Sequence, residues 1–181
     1  MRARQILFVA LLPYAAWLVF AYEYHFIDGA NLLFHEAGHV FFGIFGRTLG
    51  VLGGTLGQLV FPVATAFHFE RRGQRFDAAV CVLWLGESLM YAGVYLGDAR
   101  ARALPLVNDG IHDWWWLLGK AGLLPYAEAL GTLVHLLASA VVIGALVLAA
   151  RALRPAEEGR STGSVAEASA PGLGAEPRGG L

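Results

Sequence analysis

His35-Glu36-Ala37-Gly38-His39 is an HExxH sequence. On a helix, residues four apart lie on one face, so both imidazoles can reach a single Zn²⁺ at about 2.0–2.1 Å. Glu36, between them, can take a proton from an attacking water as general base and return it to a leaving amine. A catalytic zinc site usually has three protein ligands and one open position. Two downstream residues offer the missing donor: Asp98, which closes an apolar segment, and His112, which precedes a run of tryptophans. The candidate set is therefore Glu36 as catalytic residue, and His35, His39 and either Asp98 or His112 as ligands to one Zn²⁺ per chain. Imidazole and carboxylate donors also suit iron, nickel or cobalt, so residue types alone do not single out zinc.

The elements that must hold these residues are apolar. Hydrophobic residues make up 57% of the 181 and charged residues 15%, with a net charge of −1. Soluble domains carry about 25% charged residues. The balance excludes a disordered chain, and it lacks the basic surface that nucleic-acid binding needs. The expected partner is the lipid bilayer. A single cysteine, Cys81, excludes an intramolecular disulfide framework and any multi-cysteine metal site. Lys120 is the sole lysine among many Ala, Gly, Leu and Arg. That bias suggests a GC-rich bacterial genome, and with it the cytoplasmic (inner) membrane.

A membrane helix needs roughly 20 mostly apolar residues. Residues 5–22, 27–46, 49–68, 76–97 and about 126–150 qualify by length. The first follows Arg2 and Arg4 and reads as a retained span, with Pro13 as a kink point. The second carries the HExxH motif. The third holds Gly50–Gly54 and Gly53–Gly57 at small-xxx-small spacing, and Gly53-Gly54 reads equally as a packing face or a re-entrant break. Trp114, Trp115 and Trp116 suit a membrane–water interface. With five spans, the arginines at 71–75 and 151–154 face the side opposite Arg2 and Arg4, which leaves the orientation open. The expected fold is all-α: a polytopic transmembrane bundle of about 4–6 segments over residues 1–154, one of them re-entrant in some arrangements. Residues 155–181, rich in Gly, Pro and Ser, are expected to be a disordered tail.

Other polar residues lie within the apolar segments. Asp28, Asn31, His35 and His39 form one helical stripe. Ionisable groups inside a membrane are costly and mark function by default. Glu87 in mid-span needs a partner, as a hydrogen-bonded or protonated acid or in proton relay. His135 reads as a hydrogen bond across helices. Thr55 and Gln58 read as helix–helix polar contacts, with a substrate backbone as the other option.

The stretch NLLFHEAGHVFFGIFG resembles the zinc-binding helix of the site-2 protease class of intramembrane metalloproteases. Over about residues 5–150 the chain is similar to a group of small bacterial membrane proteins related to that class. The likeness also rests on LGGTLGQLVFP, Asp98-Ala99-Arg100 and His112-Asp113-Trp114. It implies a membrane-embedded zinc bound by the two motif histidines and a downstream aspartate. His35, Glu36 and His39 carry over directly. The aspartate usually stands in an Asn-Pro…Leu-Asp-Gly setting; here the counterpart is Leu96-Gly97-Asp98, and no PDZ segment accompanies it. The implied activity is hydrolysis of a peptide bond in a membrane-associated polypeptide. The alternative is a non-enzymatic metal-binding membrane protein, a carrier, sensor or assembly factor, which would not need Glu36.

Overall fold

A computed structural model describes residues 2–107 and 110–154; the tail expected to be disordered, 155–181, lies outside them. Six helices form, and no strand occurs among the described residues. They are α1 (Arg2–Ala21), α2 (Phe26–Gly43), α3 (Arg47–Arg71), α4 (Arg75–Gly97), α5 (Asp113–Lys120) and α6 (Ala127–Ala152), the last preceded by a 3-10 turn at Leu124–Tyr126. The fold is an all-α bundle. Four helices are long and apolar enough to cross a membrane: α1, α3, α4 and the stretch Leu124–Ala152. Their outer faces expose Ile6, Val9, Phe61, Phe67, Leu136 and Ile143, as a lipid-facing surface would.

The closest packing joins α2 to α3 and α4 to α6; α3 against α4 links the two pairs, and α1 rests on α6. Glycines set the α2–α3 approach. A Cβ on Gly53 would lie 2.7 Å from the Gly38 carbonyl oxygen, so the backbones cross with no room for a side chain. Gly53 and Gly54 sit inside an unbroken α3, so they act as a packing face and not as a re-entrant break.

Chain direction follows from contacts at the ends. Arg4 Nη2 bonds Asp77 Oδ2 at 2.6 Å, and Phe76, Ala79 and Ala149 pack with Phe8 and Leu153. The starts of α1 and α4 and the end of α6 therefore lie together. Leu96, Ala99, Leu118 and Ala127 pack together at the opposite end. Between them α2 takes an unusual course. It begins beside the middle of α4, where Asn31 meets Glu87, and reaches the level of Tyr95 by His35, seven residues and about 10 Å beyond Asp28. Its polar stripe also lowers its hydropathy below that of the four spanning candidates. Four spanning candidates fall within the expected 4–6 segments: α2 starts inside the bundle, beside the end of α1, and leaves at the end where α4 stops. Arg2, Arg4, Arg71, Arg72, Arg75, Arg151 and Arg154 then gather at one end, which removes the split of arginines that five spans would impose.

This arrangement predicts labelling from one side. In a Cys81→Ser background, cysteines placed at Arg72 and Arg151 should react with an impermeant maleimide from the same face of sealed vesicles. A cysteine at Gly119 should react from the other face. Labelling of Arg72 and Arg151 positions from opposite faces would contradict the chain path.

Candidate metal centre

α2 points Asp28, Asn31, His35 and Gly38 into the bundle, the i, i+3, i+7 register of a single stripe. The two histidines then meet α3. His35 Nδ1 is 3.0 Å from Gln58 Oε1, and His39 Nδ1 is 2.8 Å from the Gly50 carbonyl oxygen. Both partners accept. The Gln58 amide is fixed because its Nε2 donates to the Ser88 carbonyl at 2.9 Å, leaving Oε1 toward His35. Each histidine therefore donates Nδ1–H outward and keeps a lone pair on Nε2.

Both Nε2 atoms face one oxygen. Asp113 Oδ2 lies 2.9 Å from His35 Nε2 and 3.1 Å from His39 Nε2. His35, His39 and Asp113 offer ligand atoms that all lie within 4.8 Å of one another, so the trio could hold a metal ion. Two lone pairs and a carboxylate oxygen converging at such distances repel unless a cation or protons lie among them, and the Nδ1 bonds account for one proton on each ring. Gly54 provides the space. A Cβ there would sit 2.6 Å from His39 Nε2 and collide with the His35 ring as well. The residues present thus fit a small cation with two imidazoles and one carboxylate.

α5 has eight residues, too few to be stable alone, so its place comes from tertiary contacts. Arg47 and Lys120 lie over the Trp116 ring, and Lys120 Nζ donates to Thr48 Oγ1 at 2.9 Å. At its start, the Asp113 N–H donates to Tyr95 Oη at 3.0 Å. Burial pushes the Asp113 carboxyl up, but positive charge at the His35 and His39 rings, from protons on Nε2 or from a cation in their place, outweighs it and holds it below the usual carboxylate range. The group is therefore ionised at neutral pH.

The other two ligand candidates lie elsewhere. Asp98 caps α4 and accepts from the N–H groups of Ala103 and Leu104, at 2.9 and 3.1 Å. His112 Nδ1 accepts from Trp115 N, which turns Nε2 toward Asp98 Oδ2 at 3.4 Å. Burial pushes the His112 pKa down, against the pull of Asp98, so the ring is neutral at neutral pH. Asp98 Oδ2 and His112 Nε2 face each other without a hydrogen bond, and neither residue joins the His35–His39 trio. The residue missed from sequence is Asp113. Its signal was adjacency: it follows the N-cap His112 as the first residue of the helix that closes over the motif, whereas the donor chemistry of imidazole favoured His112.

A cavity of about 370 Å³ opens beside the trio. Tyr22, Tyr24, Tyr91, Leu104 and Ile111 line much of it, with Glu36 in its wall. Glu36 is half-buried and makes no hydrogen bond or ion pair among the described residues, so its carboxylate is free to act. His135 Nε2 does bridge helices, at 3.0 Å from the Val19 carbonyl oxygen. No protein-family model, curated protein or solved structure matches the chain.

Two substitutions test this geometry. Gly54→Ala should remove the ion held by the His35–His39–Asp113 trio in detergent-purified protein, while Gly144→Ala, whose Cβ would meet nothing, should leave it in place. Gln58→Leu should weaken metal affinity by about 10–100-fold, the usual effect of losing an orienting partner. Unchanged affinity in both Gly54→Ala and Gln58→Leu would show that the two Nε2 atoms do not share an ion.

Proposed function

We propose that this chain is a membrane-embedded zinc metallopeptidase of the site-2 protease type that hydrolyses a peptide bond in a membrane-associated polypeptide. The observation that carries the reading is the meeting of His35 Nε2, His39 Nε2 and Asp113 Oδ2 at one wall of a cavity that also holds the unpaired Glu36. Zinc bound there would polarise a scissile carbonyl and bring the pKa of water toward about 7. One carboxylate and a dipositive ion leave a single positive charge, which a hydroxide neutralises in a low-dielectric site.

The protein's own groups supply the rest. Glu36 accepts the proton of the attacking water and hands it to the departing amine. Gln58 and the Gly50 carbonyl keep both imidazoles in the ligating tautomer. Tyr95 holds the Asp113 backbone, and Asp98 anchors the start of the segment that lines the cavity by accepting from the Ala103 and Leu104 N–H groups. The mainly apolar and aromatic lining suits an extended apolar stretch of polypeptide. The arginine-rich end fits the cytoplasmic side of a bacterial inner membrane, which puts the metal centre toward the other face.

Glu36→Gln separates this reading from a metal carrier or sensor. The variant should keep its zinc and lose hydrolysis of a membrane-anchored reporter peptide by a factor on the order of 10²–10⁴. A variant that keeps both zinc and cleavage activity would overturn the assignment of Glu36, and a wild type without zinc would overturn the peptidase reading.

A further inference from the structure

A second cluster of ligating groups lies below the HExxH site, at the level where α2 begins. His25, Asp28 and Glu87 offer ligand atoms within 4.8 Å of one another. Asp28 and Glu87 are fully buried. Two buried carboxylates inside an apolar bundle need a compensating charge. Among the described residues no lysine or arginine pairs with either acid; the only ion-pair partner of both is His25.

The surrounding donors are neutral, and they orient the two carboxylates without discharging them. Asn31 Nδ2 donates to both Glu87 oxygens, at 3.0 and 2.9 Å, and Trp84 Nε1 pins the Asn31 amide by donating to its Oδ1 at 2.9 Å. Tyr22 donates to Asp28 Oδ1 at 2.7 Å, and the His25 backbone N–H donates to Oδ2 at 2.8 Å. Each carboxylate oxygen still has a lone pair to offer. Ligating carboxylates are commonly held in this way from outside.

The imidazole is the second, independent observation. His25 Nε2 lies 2.8 Å from Tyr14 Oη. Its Nδ1 is buried, 2.7 Å from Asp28 Oδ2, and has no hydrogen-bond partner. A protonated Nδ1 would leave an unsatisfied N–H against a carboxylate that it fails to donate to. With the proton on Nε2, donated to the tyrosine oxygen, Nδ1 instead presents a lone pair beside the Asp28 carboxylate, and Glu87 Oε1 lies 3.9 Å from Nε2 of the same ring.

We propose that His25, Asp28 and Glu87 form a second cation site, which takes a divalent transition-metal ion. One imidazole and two carboxylates suit zinc, manganese or iron(II), and a dipositive ion makes the buried cluster neutral overall. Seven residues of α2, about 10 Å, separate Asp28 from His35. The two ions are therefore too far apart to share a substrate atom, which two-metal catalysis needs at about 4 Å. The second ion ties the start of α2 and the turn before it to α4, and so fixes the register of the helix that carries the HExxH motif.

The test is a count of zinc per chain, by elemental analysis of detergent-purified protein equilibrated with zinc alone and desalted. Wild type should hold two ions, Glu87→Gln one and His39→Ala one. Asp28→Asn serves as a second isosteric variant, and a monodisperse elution profile with unchanged helix content shows that each variant is folded. A single ion lost in Glu87→Gln but kept in His39→Ala would support this site and overturn the peptidase centre. A single ion lost in His39→Ala but kept in Glu87→Gln and Asp28→Asn would overturn this proposal, leave the peptidase reading standing, and mean that protons neutralise the acids. No bound zinc in wild type would overturn both.

Discussion

The outward hydrogen bonds of the two motif imidazoles govern the rest of the structure. His39 gives its Nδ1 proton to the Gly50 carbonyl and His35 gives its own to Gln58. With those protons committed, two lone pairs must converge on the inner side of α2, and whatever closes the site must be cationic or bring a cation. The requirement reaches into α3, which has to come close enough to supply a backbone acceptor at Gly50 and a side-chain acceptor at Gln58. Glycine at 38, 53 and 54 permits that approach. It reaches α4 as well, because Ser88 must orient the Gln58 amide.

At first sight the bundle contradicts membrane energetics, since α2 carries Asp28, Asn31, His35, Glu36 and His39 through an apolar body. The contradiction resolves in the contacts. Asp28, Asn31 and His35 are buried against polar partners from the turn at 22–25, α3, α4 and α5, and the outward positions are left to Leu33, Val40 and Phe41. Because α2 starts within the bundle, it does not have to span the bilayer, and four other helices are long and apolar enough to do so. The polar stripe sits where protein, rather than lipid, surrounds it.

Much of this was legible in the residues. HExxH spacing on an apolar helix marked the face that turns inward, and Gly50–Gly54 and Gly53–Gly57 marked close approach. The all-α bundle followed from segment length and hydropathy. Three things were not legible, each for a physical reason. The depth at which α2 begins depends on the turn at 22–25, which has no pattern of its own. The role of Gln58 as an orienting partner requires knowing which carbonyl fixes its amide. Asp113 belongs to an eight-residue helix that owes its position to Arg47, Thr48 and Tyr95, contacts between segments that no local period records. Asp98 and His112, the candidates that composition and spacing favoured, instead find each other.

The central claim is that Asp113 completes the trio. The most direct measurement is zinc bound per folded chain in Asp113→Ala and in Asp98→Asn, each beside wild type under saturating zinc. Asp113→Ala should lose one ion and Asp98→Asn should lose none. Retention of the full complement in Asp113→Ala, with loss of an ion in Asp98→Asn, would contradict the account.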